Sequence, residues 1–268
     1  MKINDHSFVY YKKMAENFAN ELTKNISYPI DIISLCNNLK INIVYDINCN
    51  DTASLNIKNN KFYIKLGRQY NNKNSPFVRY MLAHEIGHYF INHKLCATIS
   101  KNEYWVFEEL CDYFARVLLL PNKFVNNIPS TIGNNLYQLL NFTKYLSNEF
   151  NVTWITSISR VKDVYDQLLF LNFKFSKTKN RFIVNKSLLP KNKYLNSHLM
   201  LNRKLLYQML SGNRNEILIT SEDQLFIILS SHFPLIFSSN NKEVLFIFRR
   251  NNIAVLAINY YAQQSHSH

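Results

Sequence analysis

The stretch Ser75-Pro76-Phe77-Val78-Arg79-Tyr80-Met81-Leu82-Ala83-His84-Glu85-Ile86-Gly87-His88 reads as one helix opening onto two histidines. Ser75 is a natural N-cap, and Pro76 falls at the first helical position, where its missing N–H costs nothing. The pattern predicts a helix through about residue 91. On it, positions i and i+4 lie one turn apart on the same side, so His84 and His88 can reach one metal ion with Glu85 beside them. That is the layout of a zinc hydrolase. The metal lowers the pKa of a water and polarises a scissile carbonyl, and the glutamate takes a proton from that water and passes it to the leaving amine. Chance is a poor explanation, since random order in a chain of this composition gives roughly 0.009 matches to H-E-x-x-H.

A catalytic zinc usually has three protein ligands and one open position, so the motif calls for a third donor. Glu108-Glu109-Leu110-Cys111-Asp112 supplies carboxylates on the next predicted helix, Glu103 to Leu119, which must stop by Pro121. Glu108 and Asp112 share a face at i, i+4. Glu108 is the expected ligand, and Asp112 is expected to accept an N–H from a ligand histidine. Glu109 points about 100° away and is the less suitable donor. His93 is left out as a residue near a helix end, and Cys111 reads as a small buried apolar side chain.

Composition narrows the field further. A chain of 268 residues with 47% hydrophobic and 18% charged residues is an ordinary globular protein rather than a disordered one. Only 4 glycines occur, and no glycine-rich phosphate loop is present, which removes nucleotide chemistry of that type. The net charge of +13 is uneven: residues 1–170 carry 18 Lys/Arg against 14 Asp/Glu, and residues 171–268 carry 13 against 4. Such a field suits an acidic partner such as nucleic acid, or simply a solvated basic surface in a Lys- and Asn-rich chain. The beginning lacks the apolar stretch of a secretory signal, and no run reaches the ~18 apolar residues of a membrane span. Cys36, Cys49, Cys96 and Cys111 form no C-x-x-C pair and read as reduced thiols of a cytoplasmic protein.

Outward from the motif, apolar spacing predicts a helix over 8–24 and a short helix over 30–39. A strand is expected at 41–45, and a hairpin with arms 54–58 and 61–66 joined by Asn59-Asn60. Helical patterns return at 136–150 and 153–170. The stripe of Phe150, Trp154, Ile155, Ile158 and Val161 reads as packing rather than as a DNA-reading helix. Beyond a boundary near 175, one amphipathic helix over 193–210 is followed by strands at 216–220, 225–229, 244–248 and 253–259. The fold class is α+β, with domains 1–174 and 175–268.

The chain resembles the ImmA/IrrE-type metallopeptidases. The residues that carry the likeness are Tyr28 through Ile32, Arg79 through His88, Glu108 through Pro121, Phe150 through Thr153 and Arg160, spanning about 10–165. The resemblance implies a thermolysin-like minimal zincin domain with a helical extension, with His84, His88 and Glu108 as metal ligands and Glu85 as general base. It also implies a regulatory role, the cleavage or inactivation of a helix-turn-helix repressor encoded on a mobile element or stress regulon. The chain departs from the family where Asn92 stands four residues after the second ligand, with His93 one later, and where Cys111 and Asp112 replace the usual Ala and Asn.

The expected function is therefore that of a zinc endopeptidase acting on a regulatory protein, with manganese as a second usable ion because a histidine and carboxylate site accepts several divalent metals. The strand Lys61 to Leu66 is the expected edge on which a substrate is held as an added strand. Tyr80, Tyr89, Tyr113 and Arg116 are the expected candidates for stabilising an oxyanion. The basic C-terminal domain suits a sensor, a homodimer surface or a docking site for the repressor. Two other readings stand beside this one: a catalytically weak metal-binding regulator that works by stoichiometric protein binding, and a nucleic-acid binder acting through the basic region.

Overall fold

A computed structural model of the chain describes residues 5–46, 53–70, 72, 74–95, 104–126, 135–165, 168–176, 181–187, 200–201, 216–220, 243–249 and 252–258. The architecture is mixed α+β, in two units: residues 1–127 with 143–160, and residues 128–142 with 161–268.

In the first unit, α1 (Asp5–Thr23) and α2 (Ile32–Asn38) precede a three-stranded sheet of β1 (Ile41–Asp46), β2 (Ala53–Lys58) and β3 (Lys61–Gly67). Asp31 caps α2 by accepting the N–H groups of Ile33 and Ser34. The sheet order is β1-β3-β2, with β1 parallel and β2 antiparallel to β3. Asn59 and Asn60 turn the hairpin with φ of 50° and 58°, which asparagine tolerates better than other residues bearing a Cβ. The strand Lys61 to Leu66, expected at an edge, is the central one. Its Ile64 and Leu66 are fully buried while no residue of β2 is, so β3 takes the position covered on both sides and β2 becomes an outer strand.

Two helices then cross: α3 (Pro76–Phe90), capped by Ser75 through the Val78 N–H, and α4 (Tyr104–Leu119). Stacked rings join them to α1, with Phe18 5.1 Å from Phe90, and Phe114 5.9 Å from each of these two. A short α5 (Asn122–Val125) follows Pro121, then α6 (Leu136–Glu149) and α7 (Trp154–Val164). Phe150, Trp154, Ile158 and Val161 are buried, as packing residues should be, and the Trp154 indole donates to Thr143.

Two buried arginines tie this unit together through carbonyls. Arg79, 5% exposed, donates to the carbonyls of Ile30 at 2.8 Å, Asn151 at 3.0 Å and Phe150 at 3.4 Å, so one residue of α3 fixes the entry to α2 and the turn before α7. Arg160 donates to the Leu120 carbonyl and to the Asn122 side chain at the end of α4.

The second unit contains a six-stranded antiparallel sheet of β4 (Leu168–Ser176), β5 (Arg181–Ser187), β6 (Met200–Leu201), β7 (Glu216–Thr220), β8 (Glu243–Arg249) and β9 (Asn252–Ile258), in the order β6-β5-β4-β9-β8-β7. The helix expected over 153–170 stops at Val164, and Leu168 already pairs with Ile258 of β9. An apolar run such as Leu168 to Leu171 fits either period, and here the partner strand decides. This sheet begins ahead of residue 175. Of the helix expected over 193–210, Met200–Leu201 is a strand against Phe182 and Ile183, and the rest lies outside the described residues, as does the strand expected at 225–229. No helix among the described residues is long and apolar enough to cross a membrane.

Replacing Arg79 by Met leaves three carbonyls without their donor, and Arg79→Met is expected to lower the unfolding free energy by at least about 3 kcal/mol in urea titrations. Arg79→Lys, which cannot fork to three acceptors, is expected to recover only part of the loss.

Candidate metal centre

The first turns of α3 bury Val78, Met81 and Leu82, which fixes the rotation of the helix and turns His84, Glu85 and His88 toward α4. Gly87 lies between the two histidines at the closest approach of the helices. A Cβ placed there would sit 3.0 Å from the Cys111 Cα and 3.1 Å from its Cβ, so any larger residue pushes α4 away.

At this crossing three donors converge. The His84 Nε2 lies 3.2 Å from the His88 Nε2 and 3.2 Å from a Glu108 oxygen, and the other Glu108 oxygen is 3.4 Å from the His88 Nε2. Donors bound to zinc at about 2.0–2.1 Å in a tetrahedron are separated by about 3.3 Å, so the two nitrogens and the carboxylate, which turns one oxygen to each, have the spacing such an ion requires. The residues present fit the group. Glu85, 6% exposed, borders the same cleft, whose volume is about 550 Å³.

Each histidine is also held from behind. Asp112 lies 3.0 Å from the His84 Nδ1 through the oxygen that accepts the Tyr80 hydroxyl at 2.6 Å. Because a carboxylate only accepts, Asp112 holds a proton on the His84 Nδ1, and Nε2, which faces His88 and Glu108, is the atom that would ligate an ion once it has given up its own proton. Arg116, itself buried, hydrogen-bonds the same Tyr80 hydroxyl, extending the chain one step further. The Cys111 Sγ lies 3.4 Å from the His88 Nδ1. Sγ and the histidine nitrogens fall within 4.8 Å of one another, the spread of a His84, His88 and Cys111 metal cluster. Sγ meets the Nδ1 of His88, however, whereas Glu108 places one oxygen 3.2 Å from the His84 Nε2 and the other 3.4 Å from the His88 Nε2, the separation zinc donors need, so Glu108 fits better as a third ligand.

Charge follows from this packing. Burial opposes protonation of His84, but hydrogen bonds to Asp112 and Glu108 and the charges of Asp112 and Glu85 outweigh it and lift the imidazole to about 9. Burial and the neighbouring His84 push His88 down. The hydrogen bond from His84 holds Glu108 below the usual carboxylate range, with a further hydrogen bond from Tyr104. Burial, then the carboxylates of Glu108, Glu85 and Asp112, push the Cys111 thiol well up.

The other candidates are placed as follows. His93 stacks on Tyr89, 5.1 Å between rings, and meets Phe62 edge-on, while Asn92 borders the cleft. Tyr113 donates to Glu16. Of the four groups expected to stabilise an oxyanion, Tyr80 borders the cleft, and its hydroxyl is committed to Asp112. Tyr104 also borders the cleft and was not among them, although its i, i+4 spacing to Glu108 was readable. The outer strand beside the site is β2, whose Ala53, Ser54 and Leu55 line one wall. Cys36 and Cys111 are buried free thiols, and Cys49 and Cys96 lie outside the described residues.

No protein-family model and no curated protein matches the chain. Among solved structures, a Mycobacterium tuberculosis transcriptional regulator is similar in fold, with 14% identity and a TM-score of 0.54 over 93% of this chain and 75% of that one.

The raised His84 makes a stability prediction for the protein stripped with a chelator. A group whose folded pKa is raised stabilises the fold fully below its unfolded value near 6.5, and that contribution is lost as pH rises through about 9. His88, being lowered, acts in the opposite sense below pH 6.5. The melting temperature is therefore expected to fall between pH 6.5 and 9, and His84→Gln is expected to flatten that slope. An unchanged slope in His84→Gln would assign it to other groups.

Proposed function

We propose that the chain is a zinc-dependent endopeptidase of the ImmA/IrrE type with a thermolysin-like zincin domain, acting on a regulatory protein such as a helix-turn-helix repressor. The observation that carries the reading is the triangle of His84 Nε2, His88 Nε2 and Glu108 oxygens, with edges of 3.2 to 3.4 Å, beside the buried Glu85. His84, His88 and Glu108 would hold the ion. Bound there, zinc supplies a Lewis acid that makes water acidic near neutral pH and polarises a carbonyl.

The chain's own residues do the rest. Glu85 follows His84 on α3 and borders the cleft, where its carboxylate accepts a proton from the attacking water and returns it to the leaving amine. Asp112 keeps the His84 proton on Nδ1, and Tyr80 keeps Asp112 in place. The wall formed by Ala53, Ser54 and Leu55 belongs to the outer strand β2, and an extended substrate would add to that edge with its scissile bond over the donor triangle. A regulatory setting is supported by the name of the neighbour in fold, a transcriptional regulator. Manganese would be accepted by the same donors.

Two measurements test the reading. Metal content by mass spectrometry is expected to give one zinc per chain in the wild type and in Glu109→Ala, and none in Glu108→Ala. Absence of zinc from the wild type after zinc addition would overturn the assignment. Glu85→Gln is expected to keep its zinc and lose peptide hydrolysis by about 10²- to 10⁴-fold. A biological effect that survives Glu85→Gln unchanged would favour stoichiometric binding of the partner over cleavage.

A further inference from the structure

The two histidines of the donor triangle differ in what stands behind them. His84 has a carboxylate on its Nδ1, while His88 has the Cys111 Sγ at 3.4 Å, within hydrogen-bond reach for sulfur. Cys111 is fully buried and is next to Asp112 in sequence, so two consecutive residues of α4 face the two rings carried one turn apart on α3. Its backbone is also the atom set against Gly87, which fixes the height of Sγ relative to the His88 ring.

We propose that Cys111 is a positioning residue for the metal centre: its Sγ accepts the Nδ1–H of His88 and so keeps the bare Nε2 turned toward His84 and Glu108. This inference rests on the metal-dependent reading above. A neutral imidazole carries one proton on either nitrogen, and a proton on Nε2 would point into the donor triangle and block the ion. The Glu108 oxygen on the Nε2 side stands at 3.4 Å, too long for a good N–H···O bond, whereas 3.4 Å is within reach of sulfur, so the acceptor on the Nδ1 side favours the metal-ready tautomer before any ion arrives. Partners of this kind are worth 10- to 100-fold in metal affinity where they have been removed. Sulfur is a weak acceptor, which places the expected effect toward the lower end of that range.

The test uses the full chain and zinc, titrated against a chromophoric chelator. Cys111→Ala is expected to weaken zinc binding by about tenfold, and Cys111→Ser, which keeps an acceptor, to recover most of it. In the chelator-treated protein, long-range proton–nitrogen spectra are expected to show His88 as a single Nδ1–H tautomer in the wild type and in Cys111→Ser, and as a mixture in Cys111→Ala. A merely structural cysteine would not move that signal. Wild-type affinity with an unchanged tautomer in Cys111→Ala overturns the proposal while leaving the metal reading intact. Equal weakening in the Ala and Ser variants together with equal losses of melting temperature also overturns it, by making the residue a packing one. A wild type that takes up no zinc removes the metal reading itself, and this inference falls with it.

Discussion

The close crossing of α3 and α4 at Gly87 and Cys111 is the constraint on which the rest of the site depends. Backbone meets backbone there with no room for a Cβ on Gly87, and that contact sets the distance from the histidines of one helix to Glu108, Cys111 and Asp112 of the other. A glycine inside a helix costs about 1 kcal/mol relative to alanine. The cost is offset by the stacked Phe18, Phe90 and Phe114 rings, which join α1, α3 and α4 about one turn further along the crossing, pairs of this kind being worth about 0.5–1.5 kcal/mol each. The donor triangle is thus a product of core packing and not of the side chains that form it.

The same economy of glycine appears elsewhere in the first unit. With 4 glycines in the chain, the left-handed backbone positions among the described residues fall on Lys40, Asn59, Asn60 and Asn151, with φ between 49° and 58°. Asparagine, at three of the four, suits them because its short polar side chain bonds locally. Asn151 shows the use: its side chain donates to the Asn74 carbonyl just before α3, and its own carbonyl receives Arg79. One left-handed asparagine and one buried arginine therefore lock the start of α3 to the turn between α6 and α7.

What could be read from the sequence was what depends on local spacing. The Ser75 cap, the Asn59-Asn60 turn, the shared face of His84 and His88, and the face shared by Glu108 and Asp112 all follow from residues within four or five positions of one another. Features set by distant partners could not be read in this way. β3 looked like an edge because a hairpin arm carries no sign of the parallel strand that will cover it, and Leu168 to Leu171 looked helical because their partners, Ile258 to Val255 of β9, lie 84 to 90 residues further on. Cys111 read as a small apolar residue for the same reason. Its burial was legible from its place among Leu110, Phe114 and Ala115, whereas its contact with His88 depends on how two helices cross.

Electrostatics gives the donor cluster its direction. Glu85, Glu108 and Asp112 surround two imidazoles in a space where burial disfavours charge, and Arg116 approaches the group at the Tyr80 hydroxyl. Three carboxylates close to two neutral rings would repel one another at low effective dielectric, so the cluster favours a cation at the triangle. The lift of His84 to about 9 expresses that preference with a proton, and the lowered His88 shows that the site takes one positive charge on the rings rather than two. A divalent ion held by His84, His88 and Glu108 would satisfy the same demand more completely, and any proton on the His84 Nε2 would have to leave first. The hydrogen-bond chain from Arg116 through Tyr80 and Asp112 keeps the His84 ring oriented whether or not its Nε2 carries a proton.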